Sequence, residues 1–227
     1  MSSREAGQTE ISKGVFLDGR LALFHKRQRW LAVADLHFGF ELSQRAAGNL
    51  FPLWGMQTIE TRLNALIRDY KPRHLILLGD LVHDRMAAPV FSRLLRRLRN
   101  SADIVLISGN HDRELGADFE LLSSWRNNGF CFHHGHCEMS TAGEIQVIGH
   151  HHPAHVVRDG AGLRLKLPVL VQQENCWIMP AFSPWAAGTE WQGGDDVQMW
   201  LCSPQRVFQL GPLDDLEGRA RLVPNIG

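Results

Sequence analysis

Five short motifs that combine histidine with aspartate, asparagine and glycine occur in order along the chain. They are Asp35-x-His37, Gly79-Asp80, Gly109-Asn110-His111-Asp112, His134-Gly135-His136 and Gly149-His150-His151-His152. Carboxylate and amide oxygens together with imidazole nitrogens suit divalent ions of the manganese, iron or zinc kind better than calcium or magnesium alone. The set offers more donor atoms than one ion takes, so the motifs predict two metal ions.

A centre with two metal ions is suited to the hydrolysis of phosphate esters. Two ions about 3.5–4 Å apart bring the pKa of a shared water toward neutrality and hold a phosphoryl oxygen for in-line attack. One such motif alone would be explained equally well by polar residues that cap turns, but five in order favour a metal site. The glycines fit this interpretation, because a residue without Cβ lets the backbone turn sharply or approach an ion.

Each motif directly follows a predicted apolar strand. The strands are predicted over residues 30–34, 75–78, 104–107, 129–133 and 145–148, with helices over 57–69 and 89–99 between the first three. Two further strands come before them, joined by a hairpin at Asp18-Gly19. Because the carboxyl ends of parallel strands meet at one edge of an α/β sheet, the five motifs are expected to converge there.

Composition narrows the class of protein. The chain has 227 residues, 24 Lys+Arg, 24 Asp+Glu and 44% hydrophobic residues, which predicts an α/β globular domain over 11–227 after a polar tail, 1–10. Its zero net charge argues against a broadly basic nucleic-acid surface. The four cysteines form no C-x-x-C pair and no run is long enough to cross a membrane, so free thiols and a cytoplasmic location are expected.

The order of the motifs resembles that of the calcineurin-like metallophosphoesterases, over roughly residues 30 to 155. The resemblance implies an α/β/β/α sandwich of two mixed sheets flanked by helices. It also implies that one ion is held by Asp35, His37, Asp80 and His152, and the other by Asp80, Asn110, His134 and His150. His111 matches the family's catalytic histidine, which would stabilise charge on the phosphoryl group and protonate the leaving oxygen. Asp112 is expected to orient the His111 ring and to favour its charged form.

Two stretches, residues 35–55 and 180–188, are similar to a bacterial subgroup, the ligase-associated DNA-damage-response metallophosphoesterases. That similarity implies a manganese-dependent endonuclease or phosphodiesterase in DNA repair, with iron or zinc as alternative metals. The expected partner is DNA, single-stranded, with a functional association with a DNA ligase and a helicase. Arg45 is a candidate substrate contact. Phe40 stands where a lysine is expected in the subgroup, and Ser183 where a glycine is expected.

Alternatives to the nuclease interpretation remain at this point. The same metal site would serve a phosphatase or pyrophosphatase acting on a nucleotide or sugar nucleotide, and a scaffold that keeps the fold without catalysis is a third possibility. Arg93, Arg96 and Arg97 on a predicted helix suit either a phosphate backbone or, preferably, a solvated outer face. Among seven tryptophans, Trp54 and Trp185 are the candidates for stacking on bases.

Overall fold

The structure, a computed structural model, describes residues 7–115, 119–141, 143–158, 161–194 and 196–211. Its first sheet contains β1 (Gln8–Ser12), β2 (Val15–Asp18), β3 (Ala22–His25), β4 (Trp30–Ala34), β5 (His74–Leu78) and β6 (Asp103–Ile107). Its second sheet contains β7 (Ser124–Asn127), β8 (Phe130–His133), β9 (Ile145–Ile148), β10 (Pro153–Arg158), β11 (Arg164–Gln173), β12 (Cys176–Ile178), β13 (Thr189–Glu190), β14 (Gln198–Ser203) and β15 (Arg206–Leu210). The α-helices are α1 (Phe40–Ala46), α2 (Gly55–Tyr70) and α3 (Ala88–Leu98), and short 3₁₀ helices cover Arg85–Ala87 and Asn110–Glu114.

The first sheet brings three strand ends into one row. Its order is β1-β2-β3-β4-β5-β6, antiparallel from β1 to β4 and parallel from β4 to β6. The register pairs Ala34 with Leu78 and Leu78 with Ile107, the last residues of the three parallel strands. Parallel strands need a crossover, and α2 and α3 lie in the two connections. The loops that carry the first three motifs therefore leave the sheet side by side.

The second sheet is also mixed and meets the first at this same edge. Its order is β13-β10-β11-β12-β9-β8-β7, with β14 paired to β11 and β15 paired to β14. Strands β8, β9 and β12 run parallel, so the loops after β8 and β9 leave on one side. After β12 the chain runs past the end of β4, where the Phe182 amide donates to the Ala34 carbonyl at 2.7 Å. The predicted fold class, two mixed sheets with few helices, is confirmed.

The core lies between the two sheets and beneath the helices. Trp30 on β4 is fully buried, and its ring packs edge-on against Phe130 and Phe132 of β8 at 5.2 and 5.0 Å between centroids. Apolar residues at helical spacing, such as Ile59 and Leu63 on α2, are buried in the same cluster. This packing fixes the edges that carry the motifs relative to one another.

Sequence patterns predicted most of these elements but erred at the amino terminus. The predicted helices 57–69 and 89–99 are confirmed as α2 and α3. The boundary of the polar tail, residues 1–10, is wrong at its end, because Gln8–Ser12 form β1 and pair with β2. Backbone pairing at a sheet edge tolerates such half-exposed polar residues. Residues 1–6 lie outside the described residues, as do residues 212–227 at the other end.

Two smaller findings bear on the expectations from composition. The cysteines, all within the described residues, carry free thiols. None of the helices in the described part of the chain is long and apolar enough to cross a bilayer.

Candidate metal centre

The predicted ligands lie immediately after strand ends, as their positions in the sequence required. Asp35 follows β4, Asp80 follows β5 after one glycine, and Asn110 opens the 3₁₀ helix after β6. From the second sheet, His134 follows β8 and His150 follows β9. Asp35 and Asp80 are almost completely buried, at 0% and 3% exposure, although each carries a carboxylate. Buried carboxylates need cationic or hydrogen-bonding partners, and the neighbouring motifs supply them.

Most of these ligands have an unusual backbone conformation. Nine non-glycine residues of the described chain have positive φ, and five of them are predicted ligands. Those five are Asp35 (54°), His37 (41°), Asp80 (44°), His150 (69°) and His152 (46°). The left-handed region costs a non-glycine residue on the order of 1–3 kcal/mol, and such strain concentrates at functional sites. The backbone of the motif loops is thus set by where the side chains must point.

One group of donor atoms is formed by Asp35, His37, Asp80 and His152. Their donor atoms all lie within 4.8 Å of one another. The Nε2 atoms of His37 and His152 are 3.4 Å apart, and His152 Nε2 is 3.6 Å from Asp35 Oδ1. Two imidazoles and two carboxylates at these separations can surround a single divalent ion. The set is the one that the family resemblance implied for the first ion.

A second group shares Asp80 with the first. Asp80, His134 and His150 form it, again within 4.8 Å, and His134 Nε2 lies 3.4 Å from Asp80 Oδ1. Asn110 joins it, with Oδ1 3.1 Å from His134 Nε2. His134 Nδ1 is buried and has no hydrogen-bond partner among the described residues. An orphaned ring nitrogen 3.6 Å from Asp35 Oδ1, on a ring whose other nitrogen faces Asp80, fits a site that takes a cation. The two groups, which share Asp80, therefore offer donors for two metal ions.

The charge states of Asp80 and His37 favour metal binding. Burial opposes the ionised form of Asp80, but the hydrogen bond and charge of His134 and the His111 amide outweigh it and lower the pKa of Asp80 well below its usual range. Burial lowers the pKa of His37 to about 4, against the attraction of Asp80 and Asp35. At neutral pH the Asp80 carboxylate is therefore ionised and the His37 ring neutral, the forms in which both side chains bind metals.

Two of the motif glycines are required by close approach between loops. A Cβ at Gly79, whose φ is +71°, would overlap the His134 ring, and a Cβ at Gly109 would overlap Asp80. The loop after β6 thus packs directly on Asp80. Any larger residue at these two positions would displace a ligand of the second group.

Asp112 has other partners than the sequence predicted. One of its carboxylate oxygens accepts hydrogen bonds from the Leu81 and Val82 amides, at 2.9 and 3.3 Å. The other accepts from the Gly109 amide at 2.7 Å. The carboxylate therefore ties the loop after β5 to the loop after β6, because those amides outcompete the ring of its chain neighbour. Burial raises the pKa of Asp112 to about 6, although these amide bonds favour its ionised form.

His111 lies next to the first group without belonging to either. Its ring is 5.3 Å from the His37 ring between centroids and stacks on His83 at 5.9 Å. The residue is exposed, and its amide donates to Asp80 Oδ1 at 3.1 Å. This placement leaves the ring free to face a substrate beside the centre.

The remaining residues that the sequence singled out divide between the site and the surface. Phe40, in place of the expected lysine, packs against His83 at 4.7 Å and so forms part of an apolar wall. Arg45 is exposed on α1. Arg97 pairs with Glu60 of α2 at 2.7 Å, on a solvated face as preferred. Trp54, 45% exposed, packs against Trp185 with the ring planes tilted by 42° and the centroids 4.2 Å apart.

Sequence reasoning missed Arg62 and Lys166, which line a cavity beside His152. Arg62 follows Ile59 by three residues and precedes Leu66 by four, so it flanks the buried stripe of α2. A charged residue in that position was the available signal for Arg62. Lys166 gave no comparable signal, because it lies on an exposed part of β11.

Comparison with known proteins agrees with the geometry. Residues 29–205 match the sequence profile of the family described as calcineurin-like phosphoesterase. The fold is similar to that of the nuclease MPE from Pseudomonas putida, with a TM-score of 0.69 and 28% identity over 86% of this chain and 94% of that one. YfcE, a phosphoesterase from E. coli, is 15% identical, with a TM-score of 0.45 over 80% and 97% of the two chains. No curated protein matches the sequence.

Proposed function

The chain belongs to the calcineurin-like phosphoesterase family, and from this premise we propose that it hydrolyses phosphodiester bonds in DNA with the help of two divalent metal ions. The observation that carries the proposal is Asp80, whose carboxylate belongs to two groups of donor atoms at once. A bridged pair of ions is the arrangement that suits in-line displacement at phosphorus.

The metal ions would supply a nucleophile at neutral pH and neutralise charge on the phosphoryl oxygens. The chain's own residues have separate tasks. His111, exposed beside the first group, donates a proton to the leaving oxygen and stabilises the charge that develops on the phosphoryl group. Asp112 holds the loops that carry Asp80 and Asn110 together, so it is a positioning residue.

Two observations support DNA as the substrate. The nuclease MPE is 28% identical to this chain, and the match covers 94% of the nuclease. Residues 35–55 and 180–188 are similar to the DNA-repair subgroup. We therefore propose single-stranded DNA as partner and manganese as the metal, with iron or zinc as alternatives. A cytoplasmic role in DNA repair beside a DNA ligase and a helicase is part of the same proposal.

The test is hydrolysis by the purified protein reconstituted with Mn²⁺, with bound metal counted by elemental analysis. We expect two metal equivalents, cleavage of bis(p-nitrophenyl) phosphate and cleavage of a single-stranded oligonucleotide. Preference for the monoester p-nitrophenyl phosphate or for a nucleoside diphosphate would favour the phosphatase or pyrophosphatase alternative. Protein that holds two metal ions and cleaves neither diester is not a phosphodiesterase.

A further inference from the structure

A cavity of about 200 Å³ opens directly beside the candidate metal centre. Its wall includes His152, a ligand of the first group, and continues through Pro153 and Gly188 to Arg62 and Lys166. The volume is below the roughly 300–1,000 Å³ of sites for drug-sized molecules, so it suits a phosphate and part of a sugar. None of its lining residues within the described part of the chain is acidic. The positive charges of Arg62 and Lys166 are therefore not neutralised by a carboxylate among these lining residues.

Among the residues that the structure describes, a carbonyl and an aromatic ring hold Arg62 in place, and no carboxylate pairs with it. Its guanidinium donates to the Phe182 carbonyl at 3.0 Å and lies over the Phe182 ring, 4.8 Å from the centroid. Burial lowers the pKa of Arg62, and no charged group of the described residues shifts it the other way. A guanidinium fixed by one carbonyl and one ring keeps several N–H donors in a planar fork, which matches phosphate geometry.

Arg62 also lines a second, larger cavity. This one, about 350 Å³, lies along α2 from Trp54 past Thr58 and Thr61 to Ala65, and its lining among the described residues is likewise free of acidic side chains. Arg62 thus lies between the cavity at the metal centre and this second cavity, which ends at Trp54. The Trp54 ring, half exposed and supported by Trp185, presents an aromatic surface at the far end.

We propose that these two cavities form a binding groove for one strand of a polynucleotide, in which Arg62 takes the phosphate next to the scissile one. The neighbouring base lies in the cavity along α2 and stacks on Trp54. An unpaired base has a free face for an aromatic ring, which a base within a duplex does not. The proposal rests on the proposed function and deepens it, because it makes the substrate a single strand with at least two phosphates.

The first test measures binding without cleavage, by fluorescence anisotropy of a labelled single-stranded 12-mer in EDTA. Arg62→Gln should weaken binding about 10- to 100-fold, the usual value of a charge-assisted hydrogen bond. It should also reduce the slope of log K against log[salt] by about 0.7. The matched control is Arg68→Gln, which removes the same charge from a 75% exposed side chain on the same helix. Equal affinities for the two variants would overturn the proposal.

Two further variants keep this test decisive if Arg62→Gln does not fold. Arg62→Lys keeps the charge, and we expect an unchanged salt slope with weaker binding. Lys166→Gln removes the other cation from an exposed position, and we expect a smaller salt slope. Unaltered binding in Lys166→Gln together with a changed salt slope in Arg62→Lys would contradict the assigned roles.

Trp54→Ala should remove any preference of the protein for single-stranded over duplex DNA. If the variant keeps that preference, Trp54 does not stack on a base.

The second test separates the groove from the metal centre. With Mn²⁺, Arg62→Gln should raise KM for the oligonucleotide by a larger factor than KM for bis(p-nitrophenyl) phosphate, which has only one phosphate. An equal rise in KM for both substrates would place Arg62 at the scissile phosphate and overturn the proposed groove. If the unaltered protein cleaves neither substrate, the proposed function fails, and the binding test still decides the groove by itself.

Discussion

At the scale of single residues, the site depends on side chains whose ordinary preferences are overridden. Asp80 is 3% exposed, adopts a left-handed backbone conformation and is shared by two groups of donors. Each of these features costs free energy in a metal-free protein, and a cation would offset the electrostatic part. His111, by contrast, contributes to neither group of donors, so its removal should leave metal binding intact.

His111→Ala should therefore lower kcat for bis(p-nitrophenyl) phosphate by about 10²–10⁴-fold, the usual contribution of a general acid. Steady-state kinetics and elemental analysis of the same samples check this, with two metal equivalents expected before and after the change. His151→Ala is the control, since His151 is an exposed histidine within a ligand motif and belongs to neither group. Retention of full activity in His111→Ala would contradict the assigned role and favour a non-catalytic scaffold.

At the scale of elements, the loops after the parallel strands are interlocked rather than merely adjacent. Asp112, after β6, binds the amides of Leu81 and Val82, after β5. Gly109 lets the same loop press against Asp80. The aligned ends of β4, β5 and β6 bring the loops together, and these contacts then hold the ligands in place relative to one another.

Gly109→Ala should disturb the second group of ligands more than the fold. Its φ is −100°, which alanine also adopts, so the cost comes from the overlap of the new methyl group with Asp80. We expect Mn²⁺ affinity, measured by calorimetric titration, to fall at least about tenfold, since the bridging carboxylate must move. Gly194→Ala is the control, because of the described residues a Cβ there meets Val197 alone, at an ordinary contact distance of 3.7 Å. Equal affinities in the two variants would show that the loop adapts.

At the scale of the whole molecule, zero net charge conceals a strongly uneven distribution of titratable groups. Burial is the main reason that the pKa is lowered for six histidines, namely His25, His37, His83, His133, His150 and His155. For His134, Asp80 and Asp35 outweigh burial and raise the pKa. Two divalent ions would add a charge of about +4 at one edge of the sheets. A neutral chain can thus present a positive site to a phosphate.

The metal-free protein should consequently lose stability as the pH falls from 8 to 6. The unfolded chain binds protons at the ordinary histidine pKa near 6.5, whereas folded histidines with lowered pKa bind them only at lower pH, so protonation favours unfolding. His134 and Asp112, whose pKa values are raised in the folded protein, have the opposite effect. We expect the free energy of unfolding, measured with urea in EDTA, to fall by roughly 1–2 kcal/mol.

His155→Gln should make this pH dependence shallower, since it removes one half-buried histidine outside the metal centre. Stability that stays constant or rises between pH 8 and 6 would show that the buried rings do not control it. If the free energy of unfolding of His155→Gln depends on pH as steeply as that of the unaltered protein, the His155 ring does not contribute to this dependence.

The sequence by itself determined the chemistry and most of the local structure. Apolar runs followed at once by Asp35, Asp80 and Asn110 predicted both the strands and the edge at which their ligands meet, because strand ends and polar loops are local features. Helices α2 and α3 followed from apolar spacing. The half-polar β1 was missed, since a strand at a sheet edge is specified by its partner and not by its own hydrophobicity.

Only the tertiary structure decided which atoms share a partner. From the sequence alone, Asp112 could face its neighbour His111 or bind amides some 30 residues earlier. The choice depends on how two loops pack. Arg62 likewise became a candidate only when the chain after β12 returned to place the Phe182 carbonyl and ring against it. Such roles arise from contacts between distant segments. The residue type determines which interactions a side chain can make, but not which groups it will contact.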